Sequence, residues 1–463
     1  MMLKKPYRST TQSGDAGAAM EANAVLALKQ RVHERLIQEL DLNRLELGAN
    51  MSDEQRLALR QRTERTVTVL LTRELRGNAE LGARIPQLVK DIVDEALGLG
   101  PLEDLLADGE ITDILVNHKD EIYVERNGRL QRTNKRFLSD NHLHSVIERI
   151  IAPLGRRIDE SSPMVDARLP DGSRVNAIIA PLAVGGPVLS IRKFSRRRYT
   201  LEDLIRVGTL TEPMASFLHA CVLLRKNIVI AGGAGSGKTT LLNVLSTFIP
   251  DGERIVTIED AVELQLAQRH WVRLEARPQN VEGKGRVTTR ELFRNALRMR
   301  PDRIIIGECR GEETLDMLQA MNTGHEGSMT TIHANSPRDV ISRLDSMVLM
   351  SSIELPIRSI RQMVASAVQI FLQISRFPDG TRKITSVSEV VGISRGTEIV
   401  LKDLFRYQRT GMAPDGMILG RLVATGEAPS FFDELKVNGI ELDAGAFTPY
   451  QGSLGTGFTP IAP

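Results

Sequence analysis

Asn227-Ile228-Val229-Ile230-Ala231-Gly232-Gly233-Ala234-Gly235-Ser236-Gly237-Lys238-Thr239-Thr240, continued by Leu241-Leu242-Asn243-Val244-Leu245, decides the fold. An apolar run of strand character leads into Gly-x4-Gly-Lys-Thr, and an amphipathic helical pattern follows, which is the context a phosphate loop requires. Glycines at 232, 233, 235 and 237 let the backbone curl with its N–H groups inward, with Ala234 and Ser236 completing the loop. A string of donors and a helix N-terminus then face a polyanion. Lys238 is placed to meet the β- and γ-phosphates, Thr239 to give its hydroxyl to Mg²⁺, and Thr240 continues the cradle. The stretch reads as a nucleoside triphosphate site.

Downstream, Arg254-Ile255-Val256-Thr257-Ile258 reads as a buried strand ending in Glu259-Asp260, with Glu263 beyond. Carboxylates leaving such a strand face the ligand crevice and could orient a water or Mg²⁺; the alternative is that they cap a following helix. A third apolar strand, Arg303-Ile304-Ile305-Ile306-Gly307, delivers Glu308. A carboxylate there is positioned to activate water or hold Mg²⁺, and Glu308 is the expected catalytic base. Cys309 reads as a small buried residue. Arg310 either meets the γ-phosphate or pairs with Glu312 or Glu313. The segment Thr323 to Ser336 holds His325 and His333 among several hydroxyls. Met329 stands where His-Glu-x-x-His needs its second histidine, so a γ-phosphate sensor is a better reading than zinc.

Around this centre, 463 residues predict two to four domains. Lys and Arg total 60 against 58 Asp and Glu, a balance that announces no nucleic-acid binder. Two cysteines, Cys221 and Cys309, exclude a disulfide framework and a four-cysteine zinc site. The sequence has no apolar run of membrane-spanning length and no secretory h-region. Residues 1–20 read as a disordered leader and 21–97 as a helical bundle with stripes such as Val25, Leu28, Val32, Leu36 and Leu40. Residues 98–200 read as a mixed α/β domain whose strands include Ile111–Val116, Ala177–Leu182 and Val188–Phe194. Alternating strands and helices over 201–410 predict a parallel sheet covered by helices. A Gly-, Ala- and Pro-rich extension and tail, 411–463, follows.

These residues resemble the secretion-superfamily ATPases of type II and type IV secretion and of type IV pili. The resemblance rests on Gly232 to Thr239 (Walker A), Ile258 to Glu263 (aspartate box), Arg303 to Arg310 (Walker B) and Thr323 to His333 (histidine box), in family order. With Gly100 to Leu106, Glu110 to Ile114 and Asp166 to Asn176, it covers roughly residues 85–410. It looks closest to the CpaF/TadA branch, which assembles tight-adherence (Flp) pili. The lack of a four-cysteine element and the helical N-terminal extension separate the chain from other branches. The resemblance implies an α/β chain with a RecA-like P-loop ATPase domain preceded by a small mixed α/β domain and a helical bundle. It further implies ATP with Mg²⁺, a homohexamer, a cytoplasmic position at the inner membrane, docking on polytopic platform proteins, and pilin moved indirectly. Arg168 and Arg174 match the family's basic segment and Arg192 lies on the same domain, so the three are the expected arginine fingers, with surface ion pairs as the alternative.

A type IV secretion ATPase exporting protein or DNA is the nearest rival, and no basic-aromatic tract favours direct contact with nucleic acid. A nucleotide switch would carry Asn-Lys-x-Asp downstream of the loop, whereas the near-match Asn134-Lys135-Arg136-Phe137 lies upstream and lacks the Asp. A non-hydrolysing scaffold would have no use for Glu308 or the histidine segment.

Overall fold

In a computed structural model, described over residues 14–449 except 41–51, 127, 195–197, 280–283, 352 and 395–396, the chain forms two units, Met1–Ser195 and Arg196–Pro463. The expected leader as far as residue 13, and the tail from residue 450, lie outside the described residues.

The first unit begins with α1 (Gly14–Leu40), α2 (Asp53–Glu74), α3 (Ala79–Gly82) and α4 (Ile85–Leu97). Helix α1 starts inside the stretch read as leader. Helix α2 starts at Ser52, whose hydroxyl accepts the Gln55 N–H while the Gln55 side chain accepts the Ser52 N–H. That reciprocal pair satisfies two donors that a helix start leaves orphaned. Apolar residues three and four apart, Leu28, Val32 and Leu36 with Val67, Leu70, Leu71, Leu88 and Ile92, close one core.

The same unit continues with α5 (Leu102–Ala107), β1 (Ile111–His118), β2 (Glu121–Arg126), β3 (Arg129–Arg132), α6 (Asp140–Ile151), β4 (Met164–Arg168), β5 (Arg174–Ile178) and β6 (Val188–Arg192). The six strands form an antiparallel sheet in the order β3-β2-β1-β6-β5-β4. Leu143, Val146, Ile147 and Ile150 of α6 pack on its inward residues. The strand expected over Ala177–Leu182 is instead Arg174–Ile178, because the Pro170-Asp171-Gly172 turn is tight. Leu169 N–H already donates to Ser173 O, so pairing resumes at once. The bundle and this sheet fall in one unit rather than two. Arg149 of α6 donates to the carbonyls of Glu95 and Ala96, which the end of α4 leaves without helical partners.

The second unit opens with α7 (Leu201–Arg206), α8 (Glu212–Leu223), β7 (Ile228–Ala231), α9 (Lys238–Ser246), β8 (Ile255–Glu259) and β9 (Trp271–Glu275). It continues with α10 (Thr289–Ala296), β10 (Arg303–Ile306), α11 (Glu313–Met321), β11 (Met329–Ile332), α12 (Pro337–Leu349) and α13 (Ile357–Ala367). It ends with β12 (Ile370–Arg376), β13 (Arg382–Ile393), β14 (Ile399–Met412), β15 (Ile418–Ala424) and α14 (Phe432–Val437). The nine-stranded sheet runs β15-β14-β13-β12-β7-β11-β10-β8-β9, parallel from β12 to β9 and antiparallel beyond β12. Alternation assigns Ile228 and Ile230 to the layer with α8 and α9, and Val229 and Ala231 to the layer with α10 to α13. This is the α/β, RecA-like P-loop architecture, preceded by a smaller α/β sheet and helices.

The boundary at 410 is corrected by β14, which crosses it and pairs with β15. Residues beyond it join the core: Phe431 and Phe447 pack on Phe217, with ring centres 6.3 and 5.4 Å away. Composition hid this because widely spaced aromatic anchors, not a continuous apolar pattern, hold the segment.

At the N-terminal end of β10, Arg303 is completely buried and pairs with Glu253, while also donating to Val222 O and Gly327 O. Removing one partner of such a pair strands the other. Arg303→Met therefore lowers stability by about 3 kcal/mol in urea unfolding.

Candidate functional site

The site forms where parallel strands end, because β7, β11, β10 and β8 all point their C-termini the same way. Gly232 follows β7 directly. A Cβ on it would stand 2.4 Å from Ile374 O, so only glycine lets the loop leave between β7 and β12. Gly237, at φ +98, turns the loop into α9. Gly233, Ala234 and Gly235 form the exposed crest, and Ser236 is buried with its hydroxyl on Gly233 O at 2.9 Å. Lys238 is buried, its Nζ donating to Gly232 O and Gly233 O at 3.1 and 3.0 Å, with His333 Nδ1 at 3.4 Å. An ammonium folded over the loop stands where loop-bound phosphates need positive charge. Thr239 and Thr240 are half-buried at the start of α9.

Two strand exits meet beside this lysine. His333 leaves β11, and its Nε2 lies 2.7 Å from Oε1 of Glu308, which leaves β10. Arg310 grips the other Glu308 oxygen through Nε and Nη2 at 2.9 and 2.6 Å, and Asp260 stands 3.6 Å from its Nη1. Arg310 thus pairs with Glu308 and not, as one alternative had it, through its side chain with Glu312 or Glu313. Arg290 takes Glu312, and Glu313 accepts the backbone N–H of Arg310. Partial burial and the neighbouring Lys238 hold the His333 imidazole below its ordinary pKa. It is neutral near pH 7 and can both donate and accept. Cys309, buried against Met317 and Thr330, is a core residue.

Two expected residues stand elsewhere. His325 precedes β11 and so sits at the opposite end of that strand from His333 and the loop. Glu259 turns inward beneath Gly307, its Oε1 accepting the N–H groups of Glu263 and Leu264 at 2.9 Å. No helix follows β8, so the carboxylate caps an irregular turn instead. Glu259 Oε2 has no hydrogen-bond partner among the described residues, and burial pushes its carboxyl up to about 7. A folded pKa above the unfolded one favours the protonated, folded form, fully so below about pH 4.5, and that contribution is lost as pH rises through about 7. Glu259→Gln keeps the accepting oxygen without the buried charge. It raises stability by about 2 kcal/mol at pH 8 and by nothing below pH 4.5, read as Tm against pH.

Glu263 sits in the site although sequence reading gave it no firm role: its Oε2 lies 3.4 Å from Thr239 Oγ1. Its spacing from Glu259 was the available signal. Arg376 and Arg382, flanking the β12–β13 turn, reach the crest of the loop. Arg382 Nε donates to Gly235 O at 2.9 Å. No sequence signal marked them, because strand pairing alone brings them there.

Arg168, Arg174 and Arg192 belong to the first unit. They occupy one cross-strand row: Arg168 faces Arg174, Arg174 faces Arg192, and Arg192 faces Asp113. Arg192 Nε lies 3.1 Å from Asp113 Oδ1, and Arg168 Nε donates to Gly172 O. Among the described residues no group of three or more His, Cys, Asp or Glu side chains is arranged to hold a metal. No helix among them is long and apolar enough to cross a membrane.

Over residues 95–397 the sequence matches the family described as type II/IV secretion system protein. A putative conjugal transfer protein of Mycobacterium tuberculosis is 37% identical over 300 residues, which span 64% of this chain and 85% of that protein. The conjugal transfer protein TrbB of Rhizobium radiobacter is 33% identical over 66% of this chain and 91% of its own length. The crystal structure of the VirB11 ATPase from the Brucella suis type IV secretion system, in complex with sulphate, is 33% identical, covers 62% of this chain and 94% of that one, and aligns with a TM-score of 0.35.

Proposed function

Because this chain belongs to the type II/IV secretion system protein family, we propose that it is an ATP-hydrolysing motor of an envelope-spanning machine. One observation carries the reading: a phosphate loop whose lysine stands among His333, Glu308 and Arg310, all at the exits of parallel strands. Lys238 and the loop amides bind the triphosphate. Glu308, oriented by Arg310, takes a proton from the attacking water, and neutral His333 between Lys238 and Glu308 registers the terminal phosphate.

The oxygens available at the site fit Mg²⁺, which binds through one or two side chains plus substrate phosphates rather than in an all-protein cage. Thr239 Oγ1 and Glu263 Oε2 would hold it, with Asp260 and Glu308 at hand; Glu259 is committed to backbone amides. When bound, the ion neutralises charge on the phosphates.

Strand pairing sets Arg168, Arg174 and Arg192 in one row on one face of the smaller sheet. We assign the three as arginine fingers of a homohexameric ring that complete the site when it closes. Arg174→Ala then retains ATP binding and loses hydrolysis at least about tenfold in assembled protein; wild-type turnover by that variant would cancel the assignment.

The finer reading is a cytoplasmic motor docked on polytopic inner-membrane platform proteins, assembling a Flp-type pilus as the CpaF/TadA branch does. The N-terminal helices α1 to α4 support it. A second reading, export through a type IV secretion channel, is favoured by the conjugal-transfer relatives. Deleting the gene separates the two: loss of surface pili with intact conjugation supports the first, and the reverse supports the second.

A further inference from the structure

Between β10 and α11 the chain runs Gly307-Glu308-Cys309-Arg310-Gly311-Glu312. Cys309 is buried against Met317 and Thr330, while Glu308 and Arg310 on either side of it turn outward and meet each other beside His333. The two ends of this connection are held differently. On the strand side β11 grips it: Thr331 Oγ1 donates to Gly307 O at 2.7 Å, and the Cys309 N–H donates to Thr331 O at 3.0 Å. On the helix side the N–H groups of Arg310 and Gly311 lie after the end of β10 and before the start of α11, where neither ladder supplies an acceptor. Glu313, the first residue of α11 and buried, supplies it, its Oε1 accepting both N–H groups at 2.6 and 3.0 Å.

An acid in the first turn of a helix is favourable by itself. Here the carboxylate does something more local. The first amides of α11 already have acceptors, Thr314 N–H on Gly311 O and Leu315 N–H on Glu312 O, and the Glu313 oxygen goes instead to the residue that carries Arg310 and to the one after it. The Arg310 side chain is 53% exposed and is held at its tip by Glu308 and Asp260. A long exposed side chain loses rotamer freedom when it is ordered, so its guanidinium stays on Glu308 more readily when its backbone is fixed.

We propose that Glu313 is a positioning residue for hydrolysis: by fixing the amides of Arg310 and Gly311 it sets the reach of the Arg310 guanidinium, which in turn aligns the Glu308 carboxylate for the attacking water. The assignment rests on the ATP-hydrolysing reading above and adds one link to it. Glu313 grips backbone, so its effect falls on the rate of the chemical step and not on nucleotide affinity.

The test is single-turnover hydrolysis of Mg²⁺-ATP by the full chain, with ATP affinity measured separately, for wild type, Glu313→Gln, Glu313→Asp, Glu313→Ala, Arg310→Ala and the double variant Arg310→Ala with Glu313→Ala. Thermal melts establish that each variant is folded. Glutamine keeps an accepting oxygen at the same reach and is expected to hydrolyse within about threefold of wild type. Aspartate keeps an acid at the start of α11 but stops one methylene short of the two N–H groups. It and alanine are expected to slow hydrolysis about tenfold or more, with ATP affinity within about twofold of wild type. On the Arg310→Ala background the alanine change then adds less than about twofold, because the group it positions is gone. Aspartate at the wild-type rate overturns the assignment and leaves Glu313 as a favourable acid at a helix start. Glutamine as slow as alanine overturns it too, as does the full loss repeated on the Arg310→Ala background or a loss of ATP affinity that matches the loss of rate. If the alanine variant does not fold, aspartate and glutamine decide between these outcomes by themselves. Wild-type protein that does not hydrolyse ATP overturns the reading beneath the assignment, and the assignment with it.

Discussion

Glu308→Gln binds ATP with near wild-type affinity and turns it over at least about a thousandfold more slowly. The substitution keeps the shape of the side chain: the amide oxygen can still accept from Arg310, and the neutral imidazole of His333 can accept from the amide NH2. It removes the lone pair that accepts the water proton. Binding survives because the phosphates are held by the loop and Lys238, which this change does not touch. A single-turnover measurement, with nucleotide affinity recorded separately, distinguishes loss of chemistry from loss of binding. Turnover within a factor of about three of wild type would remove Glu308 from the role of base.

Lys238→Ala has the opposite signature: ATP affinity itself collapses, by about a hundredfold or more, and hydrolysis disappears with it. Lys238 is buried, and its ammonium lies against two loop carbonyls and His333. In that setting the charge is worth more than at the surface, since little water screens it. Its loss leaves the loop amides to hold a polyanion without a counter-charge. The two variants differ in the step they lose, and together they separate binding from chemistry in one assay.

Local patterns were legible in the sequence. Gly232 to Thr239 declared the loop because each position answers to backbone curvature or charge within a few residues. Glu308 declared itself by leaving an apolar strand. What strand pairing decides was not legible. His333 and Glu308 meet only because β11 pairs with β10, and Arg376 and Arg382 meet the loop only because β12 pairs with β7. The same pairing separates His325 from His333 by the length of β11, although the two share one short segment of sequence. Glu259 looked like a ligand by position, yet the turn after β8 folds its backbone amides onto the carboxylate. The end of the second unit was misplaced for a related reason. Phe431 and Phe447 are isolated in a Gly- and Pro-rich stretch and become core residues only on reaching Phe217.

Phosphate release from Mg²⁺-ATP by the purified full chain, recorded with oligomeric mass in the presence and absence of nucleotide, tests the proposal of a nucleotide-driven motor. Hydrolysis is expected to depend on Lys238 and Glu308 and to accompany a hexamer. Protein that binds ATP but stays monomeric and inert, even with membranes and platform protein supplied, would contradict it.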